Sequence, residues 1–214
     1  DANLITAFKV DNLEQFKGIK PENSIAPVLK SNAYGHGLIE IASILEDKAD
    51  FFVIDSYFEA LALRNEGIKT PLLIIGYVRP EIINANKLKG VSYGISSLDA
   101  LRSISSSARI HLKIDTGMRR QGIMPEELNE ALSHIKNNPN IEFEGICSHL
   151  SDADNSDRSY TEKQITLWNS IVEKVKKEFP SIKYIHLSNS YGHAFAKKIS
   201  ANTSRLGIGL YGLA

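Results

Sequence analysis

The chain is poor in sulfur and carries no net charge. Of its 214 residues one is a cysteine and two are methionines, and 25 lysines and arginines balance 25 aspartates and glutamates. A lone cysteine, Cys147, cannot close an internal disulfide, which is compatible with a reducing cytoplasm. Zero formal charge argues against nucleic acid or an anionic membrane as the main partner. No uninterrupted apolar run is long enough to cross a bilayer. Low-complexity segments, charge runs and domain linkers are also missing, so nothing in the composition divides the chain. It begins at Asp1 rather than a methionine, and Leu210-Tyr211-Gly212-Leu213-Ala214 still read as strand or strand exit. Both ends are therefore expected to be cut from a longer protein, which leaves a leader upstream open.

What is present is alternation. Apolar runs at 25–30, 51–54, 72–75, 91–95, 109–114, 143–149, 184–187 and 204–210 read as strands. Amphipathic stretches lie between them, most clearly at 126–136 and 161–178. Eight strands alternating with helices, with no strand-only block, predict a single (β/α)8 TIM-type barrel of the α/β class over residues 1–214. An open, doubly wound sheet would alternate similarly, so strand count alone leaves closure open. The fifth strand has a distinctive pattern. Arg109, His111, Lys113 and Asp115 alternate with Ile110, Leu112 and Ile114, so the polar side chains share one face. The outer face of a barrel packs on helices and must be apolar, which sends the polar set inward. Two readings stand evenly: Lys113 and Asp115 serve a site, or they form an internal pair that organises the loop.

The segment Lys30-Ser31-Asn32-Ala33-Tyr34-Gly35-His36-Gly37 closes the first apolar run. Burying a lysine at a strand end is costly unless it is neutral, paired or covalently bonded. Strand, lysine, tight turn and helix together suit a Schiff-base lysine, which needs a rigid platform and a dry mouth. In barrels the chemistry sits where strands end. The other ends here supply Arg119-Arg120, Ser148-His149, Ser188-Asn189-Ser190 and Arg205-Leu206-Gly207-Ile208-Gly209. Ser190 and the amides of Gly207 and Ile208 lie where such barrels commonly cradle phosphate, and Tyr34 could donate to the same group. A plainer account makes Gly207 and Gly209 room for tight packing. Arg120 suits a bidentate carboxylate clamp. Asp152, Asp154 and Asp157 read as a solvated loop, and His36 as a turn residue or an orienting group. No metal-binding set is expected.

The order K-x-N-A-Y-G-H-G, K-x-D-T-G-M-x-R-x-G, S-H, N-S and R-x-G-I-x-L-Y-G runs through nearly the whole chain. It resembles the barrel domain of alanine racemases, the fold-type III class of enzymes that use pyridoxal 5′-phosphate. The resemblance implies that Lys30 carries the cofactor and acts as the base on the D-side of the substrate. It implies that Tyr34, Ser190, Gly207 and Ile208, with Asn189 beside them, hold the phosphate, and that Arg205 donates to the pyridine nitrogen. His149 would support the ring and Arg205, and Arg120 would touch the phenolic oxygen and the substrate. Lys113 matches a lysine often carbamylated in the family. An arginine cannot give up its proton to the ring, because its own pKa is too high. The ring then absorbs little carbanion charge, which suits prompt reprotonation and suppresses side reactions.

Two departures from the family pattern stand out. Arg119-Arg120-Gln121 replaces a more usual G-R-x, and Tyr191-Gly192-His193 stands where small residues are typical. The second base, a tyrosine of a C-terminal β-domain presented across a homodimer interface, is expected to be absent from this chain. The implied function is interconversion of L- and D-alanine for peptidoglycan, with the isolated barrel inactive or weakly active. Alternatives are a racemase for serine, lysine or several amino acids, and a non-catalytic cofactor-carrying barrel, which would not need Arg120. A fold-type III decarboxylase should show a different phosphate loop. A barrel aldolase would not need Arg205.

Overall fold

The computed structural model describes residues 2–213, with side chains from Lys9 onward; Asp1 and Ala214, the ends of the expected domain, lie outside the described residues. The strands are β1 (Ser24–Pro27), β2 (Phe52–Ile54), β3 (Leu72–Ile74), β4 (Val91–Ile95), β5 (Ala108–Lys113), β6 (Ile141–Cys147), β7 (Tyr184–His186) and β8 (Thr203–Leu206). All their pairings are parallel. β2 to β7 form one ladder in sequence order, and β1 pairs with β8. A bridge between Val28 and Val53 joins the two on one side. On the other, the Arg205 amide donates to the Ser188 carbonyl (3.1 Å) and the Asn202 amide to the Ile185 carbonyl (3.1 Å). The ring closes, which settles barrel against open sheet.

Alternation along each strand sorts the side chains. Ile25, Phe52, Ile54, Leu72, Ile74, Ile110, Leu112, Ile146 and Ile185 face outward into a continuous core with the helices. Ala26, Val28, Phe51, Val53, Leu73 and Tyr184 form a separate, smaller cluster inside the barrel. On the side of β5, β7 and β8 the interior is polar: His111, Lys113, His186 and Arg205 are all buried. The inward face expected from the β5 pattern is therefore observed.

The helices are α1 (Ala2–Ile19), α2 (Lys30–Tyr34), α3 (Leu38–Leu45), α4 (Tyr57–Asn65), α5 (Pro80–Asn84), α6 (Leu98–Arg102), α7 (Leu128–Asn137) and α8 (Ser159–Glu178). α8 buries Thr161, Gln164, Ile165, Trp168, Ile171, Val172 and Val175, the i, i+3, i+4 spacing of one helical face. Trp168 is fully buried, and its indole N–H donates to the Ser200 carbonyl at 3.0 Å. Burial of such a side chain contributes about 2–3 kcal/mol. α4 starts with a capping box between Ser56 and Glu59. The expected strand at 204–210 stops at Leu206, because Gly207 (φ −98°, ψ −107°) leaves the extended region and a 3-10 turn, Ile208–Tyr211, follows. No helix follows β8 among the described residues. α1 packs there instead: Asn12 Nδ2 donates to the Leu210 carbonyl (3.0 Å), and Phe16 meets His193 edge-on at 4.9 Å. No described helix is long and apolar enough to cross a membrane.

Candidate active site

Beyond β1 the chain does something its residue types disfavour. Ser31, Asn32, Ala33 and Tyr34 have φ of 56°, 55°, 52° and 55°, so α2 is a left-handed turn built without glycine. Each such residue costs about 1–2 kcal/mol, and only asparagine is at ease there. Neighbours offset the cost. The Asn32 side-chain carbonyl accepts from the Leu38 amide (2.9 Å), and the Ser31 amide donates to Glu59 Oε1 (2.8 Å). The other oxygen of Glu59 accepts from the amide of Asp55 (2.7 Å), so one carboxylate ties the exits of β1 and β2 together. Strain held in place this way is characteristic of functional sites. The reversed turn leaves Lys30 half-buried at the barrel mouth and carries Tyr34 back toward β8.

There Tyr34 meets Gly207. A Cβ on Gly207 would lie 2.8 Å from the Tyr34 hydroxyl, and burial raises the pKa of that phenol, keeping it a donor. Ser190 Oγ accepts from the Gly209 amide at 3.0 Å, which pins the turn after β8 to the end of β7. Asn189 takes a supporting part, accepting the Gly192 amide at 2.8 Å. A hydroxyl from each of two elements thus converges on a glycine turn with its amides at hand.

Arg205 lies deeper, at 3% exposure. Nη1 donates to the His186 carbonyl (2.9 Å) and to His186 Nδ1 (2.7 Å). Nη2 donates to the carbonyls of Ser148 (2.7 Å) and Leu187 (3.1 Å) and meets His149 Nδ1 at 3.2 Å. Nε has no protein partner among the described residues. Burial, with the charges of Arg205, Arg120, Lys113 and Lys30 added, brings His149 down to about 3, so the ring is neutral and its Nδ1 accepts.

The β5 exit answers residue by residue the choice that the sequence left open. Asp115 organises the loop: its carboxylate accepts from the amides of Gly117 (2.8 Å), Arg119 (3.0 Å) and Arg120 (3.1 Å). Lys113 does not pair with it. Its ammonium donates to Gln121 Oε1 at 2.9 Å and faces the cavity, and its pKa is lowered first by burial and then by Arg205, Arg120 and Lys30. The loop is pinched at its base by the bridge between Ile114 and Ile123; Arg119 and Arg120 are both exposed on it, and of the two only Arg120 lines the cavity. His36 is a turn residue, stacked on Tyr211 at 4.6 Å.

These residues surround one cavity of about 490 Å3. Lys30, Tyr34, Lys113, Arg120, His149, Asn189, Ser190, Arg205, Gly207 and Ile208 all line it, so the fold brings these candidate residues together, whereas Asp115 and His36 do not line it. Asp55, Tyr77 and Gln121 line it too and were missed. Asp55 stands directly after β2, so reading every strand end for polar residues would have found it. A chain without net charge has gathered Lys30, Lys113, Arg120 and Arg205 around one opening, with Asp55 the only carboxylate lining it among the described residues. Such a cavity suits a ligand with several negative charges.

Fold and cavity together define a parallel α/β barrel with a lysine, a glycine-turn anion cradle, one buried arginine and one loop arginine at the carboxyl ends of its strands. Comparison with known proteins narrows the class. The family model for the alanine racemase N-terminal domain matches residues 9–214, and the chain belongs to that family. An alanine racemase of Methanococcus maripaludis is 37% identical over 213 residues, covering 95% of this chain and 57% of that protein. One from Fusobacterium nucleatum is 38% identical over 209 residues, covering 94% and 57%. Among solved structures, the alanine racemase of Bacillus anthracis with bound L-Ala-P superposes with a TM-score of 0.88 at 30% identity, over 98% of this chain and 56% of that one. A Clostridium difficile alanine racemase in complex with cycloserine gives 0.86 at 29%, over 96% and 58%. The chain thus spans little more than half the length of these relatives.

Proposed function

We propose that this chain is the cofactor-binding barrel of a pyridoxal-phosphate-dependent alanine racemase, which interconverts L- and D-alanine and supplies D-alanine for peptidoglycan. The observation that carries the reading is the adjacency of Lys30 to the anion cradle. β1 and β8 are hydrogen-bonded neighbours, so the lysine at the end of one stands beside the glycine turn at the end of the other. In pyridoxal phosphate the aldehyde and the phosphate arm occupy adjacent ring carbons, which asks for this closeness. The other residues fit the same molecule. Gly207 leaves room where a Cβ would crowd the Tyr34 hydroxyl, and the unpartnered Nε of Arg205 is a donor suited to an unprotonated ring nitrogen. The cofactor, when bound, supplies an electron-withdrawing group that acidifies the substrate Cα–H.

The protein's own residues do the rest in this reading. Lys30 holds the cofactor and moves the proton on one face of the α-carbon. Tyr34, Ser190 and the amides of Gly207 and Ile208 bind the phosphate. Neutral His149 accepts from Arg205 and supports the ring. Arg120 binds the phenolic oxygen and the substrate carboxylate. Burial moves Lys113 toward the neutral amine, the form that adds carbon dioxide with loss of a proton, and the carbamate would hold Arg120. The other face of the α-carbon is served by a tyrosine from a C-terminal β-domain of a second subunit.

The test is to add pyridoxal phosphate, reduce with borohydride and map the labelled peptide by mass spectrometry. Label confined to Lys30 is expected; label spread over surface lysines would overturn the site. Gly207→Ala is expected to weaken binding about tenfold, the worth of one displaced charge-assisted hydrogen bond. A fluorescence titration measures this, and unchanged affinity would remove Gly207 and Tyr34 from the cradle.

A further inference from the structure

Arg205 has no carboxylate partner within ion-pair distance among the described residues, although it is buried among cations. What it has is a path. Arg205 Nη1 lies 2.7 Å from His186 Nδ1, His186 Nε2 lies 2.7 Å from His111 Nδ1, and His111 Nε2 lies 3.3 Å from Glu144 Oε2. The path begins at a donor that cannot accept and ends at a carboxylate. Glu144 is secured there by Ser92 Oγ at 2.5 Å and by Arg109 at 3.9 Å.

The two ends dictate the direction of every bond between them. Because Arg205 donates to His186 Nδ1, a neutral His186 carries its proton on Nε2. That proton leaves His111 Nδ1 as the acceptor, so His111 in turn carries its proton on Nε2 and donates to Glu144. The surroundings favour neutral rings. Burial lowers the pKa of both histidines, and their walls are Phe51 and Tyr184, with the Tyr184 ring stacked on His111 at 5.6 Å. Burial alone would raise Glu144, yet the hydrogen bonds from His111 and Ser92 and the charge of Arg109 bring it to about 2, keeping it an acceptor. Space has been left for the arrangement as well: a Cβ on Gly145 would lie 2.7 Å from His111 Nδ1.

We infer that His186, His111 and Glu144 are positioning residues forming a one-way hydrogen-bond relay, which locks the Arg205 guanidinium and gives its charge a counter-ion across the barrel interior. Every proton along it points away from the cavity. The guanidinium cannot turn without breaking the sequence, and the interior has no proton to pass toward the group that Nε faces. This consequence rests on the cofactor reading above; the relay itself does not.

The test uses the protein without cofactor, labelled with 15N in its histidine rings, and reads tautomers from two-bond 1H–15N correlations. His186 and His111 are each expected to be neutral and protonated at Nε2, assigned by loss of one pattern in His111→Phe. In that variant, and in Glu144→Leu, which leaves His111 no acceptor, should the first fail to fold, exchange of the His186 Nε2 and Arg205 guanidinium protons is expected to speed up about tenfold, the worth of one lost hydrogen bond in the sequence. An imidazolium or an Nδ1–H tautomer at either ring overturns the relay, and so does unchanged exchange in the variant that folds. Borohydride labelling of the wild type separates the two ideas. Correct tautomers without label at Lys30 keep the relay and sink the cofactor site; label at Lys30 with a wrong tautomer does the reverse.

Discussion

Replacing Lys30 by alanine is expected to abolish borohydride-trappable pyridoxal phosphate while leaving the melting temperature almost unchanged. Lys30 makes no side-chain hydrogen bond or ion pair among the described residues and is half-buried at the rim, so its truncation falls among the substitutions worth about 0.5 kcal/mol or less. The competitor is Lys113, which lines the same cavity and whose lowered pKa leaves more of it as the free amine than an ordinary lysine. Geometry decides against it. Lys113 stands on β5, four strands round from β1 and on the opposite side of the ring, away from the cradle formed by Tyr34, Ser190 and Gly207. A cofactor whose aldehyde neighbours its phosphate arm cannot hold the cradle and reach across the barrel. Lys113→Ala should therefore keep its label at Lys30. Specific label appearing on Lys113 in the Lys30→Ala protein would transfer the Schiff-base role to β5.

Gly122→Ala is expected to cost about 3 kcal/mol or more, from strained backbone and a backbone clash together. Gly122 has φ of +146°, and an added Cβ would lie 2.4 Å from the Asp115 amide nitrogen and 2.7 Å from the Ile114 carbonyl carbon. Neither atom is the end of a flexible chain, so the pinch that closes the loop must open. For a domain of this size the loss corresponds to about 6–12 °C in melting temperature. The loop carries Arg120, so cofactor affinity should fall with stability, as a titration on the folded variant would show. Gly18→Ala is the control. That glycine lies in α1 with nothing within 4 Å of its added Cβ, and alanine there is expected to stabilise by about 0.5–1 kcal/mol. A melting temperature unchanged by Gly122→Ala would show that the loop tolerates another path and that its pinch does not position Arg120.

The barrel was legible because burial leaves a periodic record. Strands flanked by helices must be apolar outward, so eight short apolar runs between amphipathic stretches mark both the elements and their order. The polar face of β5 was legible for the same reason, since a strand repeats every second residue and Arg109, His111 and Lys113 could share only one side. The candidate site residues could be singled out because parallel barrels expose the ends of their strands, and the chemistry-bearing residues stand at those ends in the order of a recognisable family.

Tertiary structure decided what depends on residues far apart in the chain. Closure of the ring rests on β1 finding β8, 179 positions away in the pair Ser24 and Thr203, and no local pattern encodes that partnership. The left-handed turn after Lys30 contradicts the preferences of serine, alanine and tyrosine, and only the hold of Glu59 and the packed ends of β1 and β2 make it affordable. Whether Asp115 pairs with Lys113 or gathers amides turned on where a pinched loop folds back, which alternation along a strand does not describe. The relay from Arg205 to Glu144 is the extreme case. Its members come from β5, β6, β7 and β8, and each is an ordinary buried or half-buried polar residue until the barrel places donor against acceptor. Period and strand order are local properties that burial writes into a sequence; the direction of a hydrogen bond between distant side chains exists only once the fold has fixed them within 3 Å or so of each other.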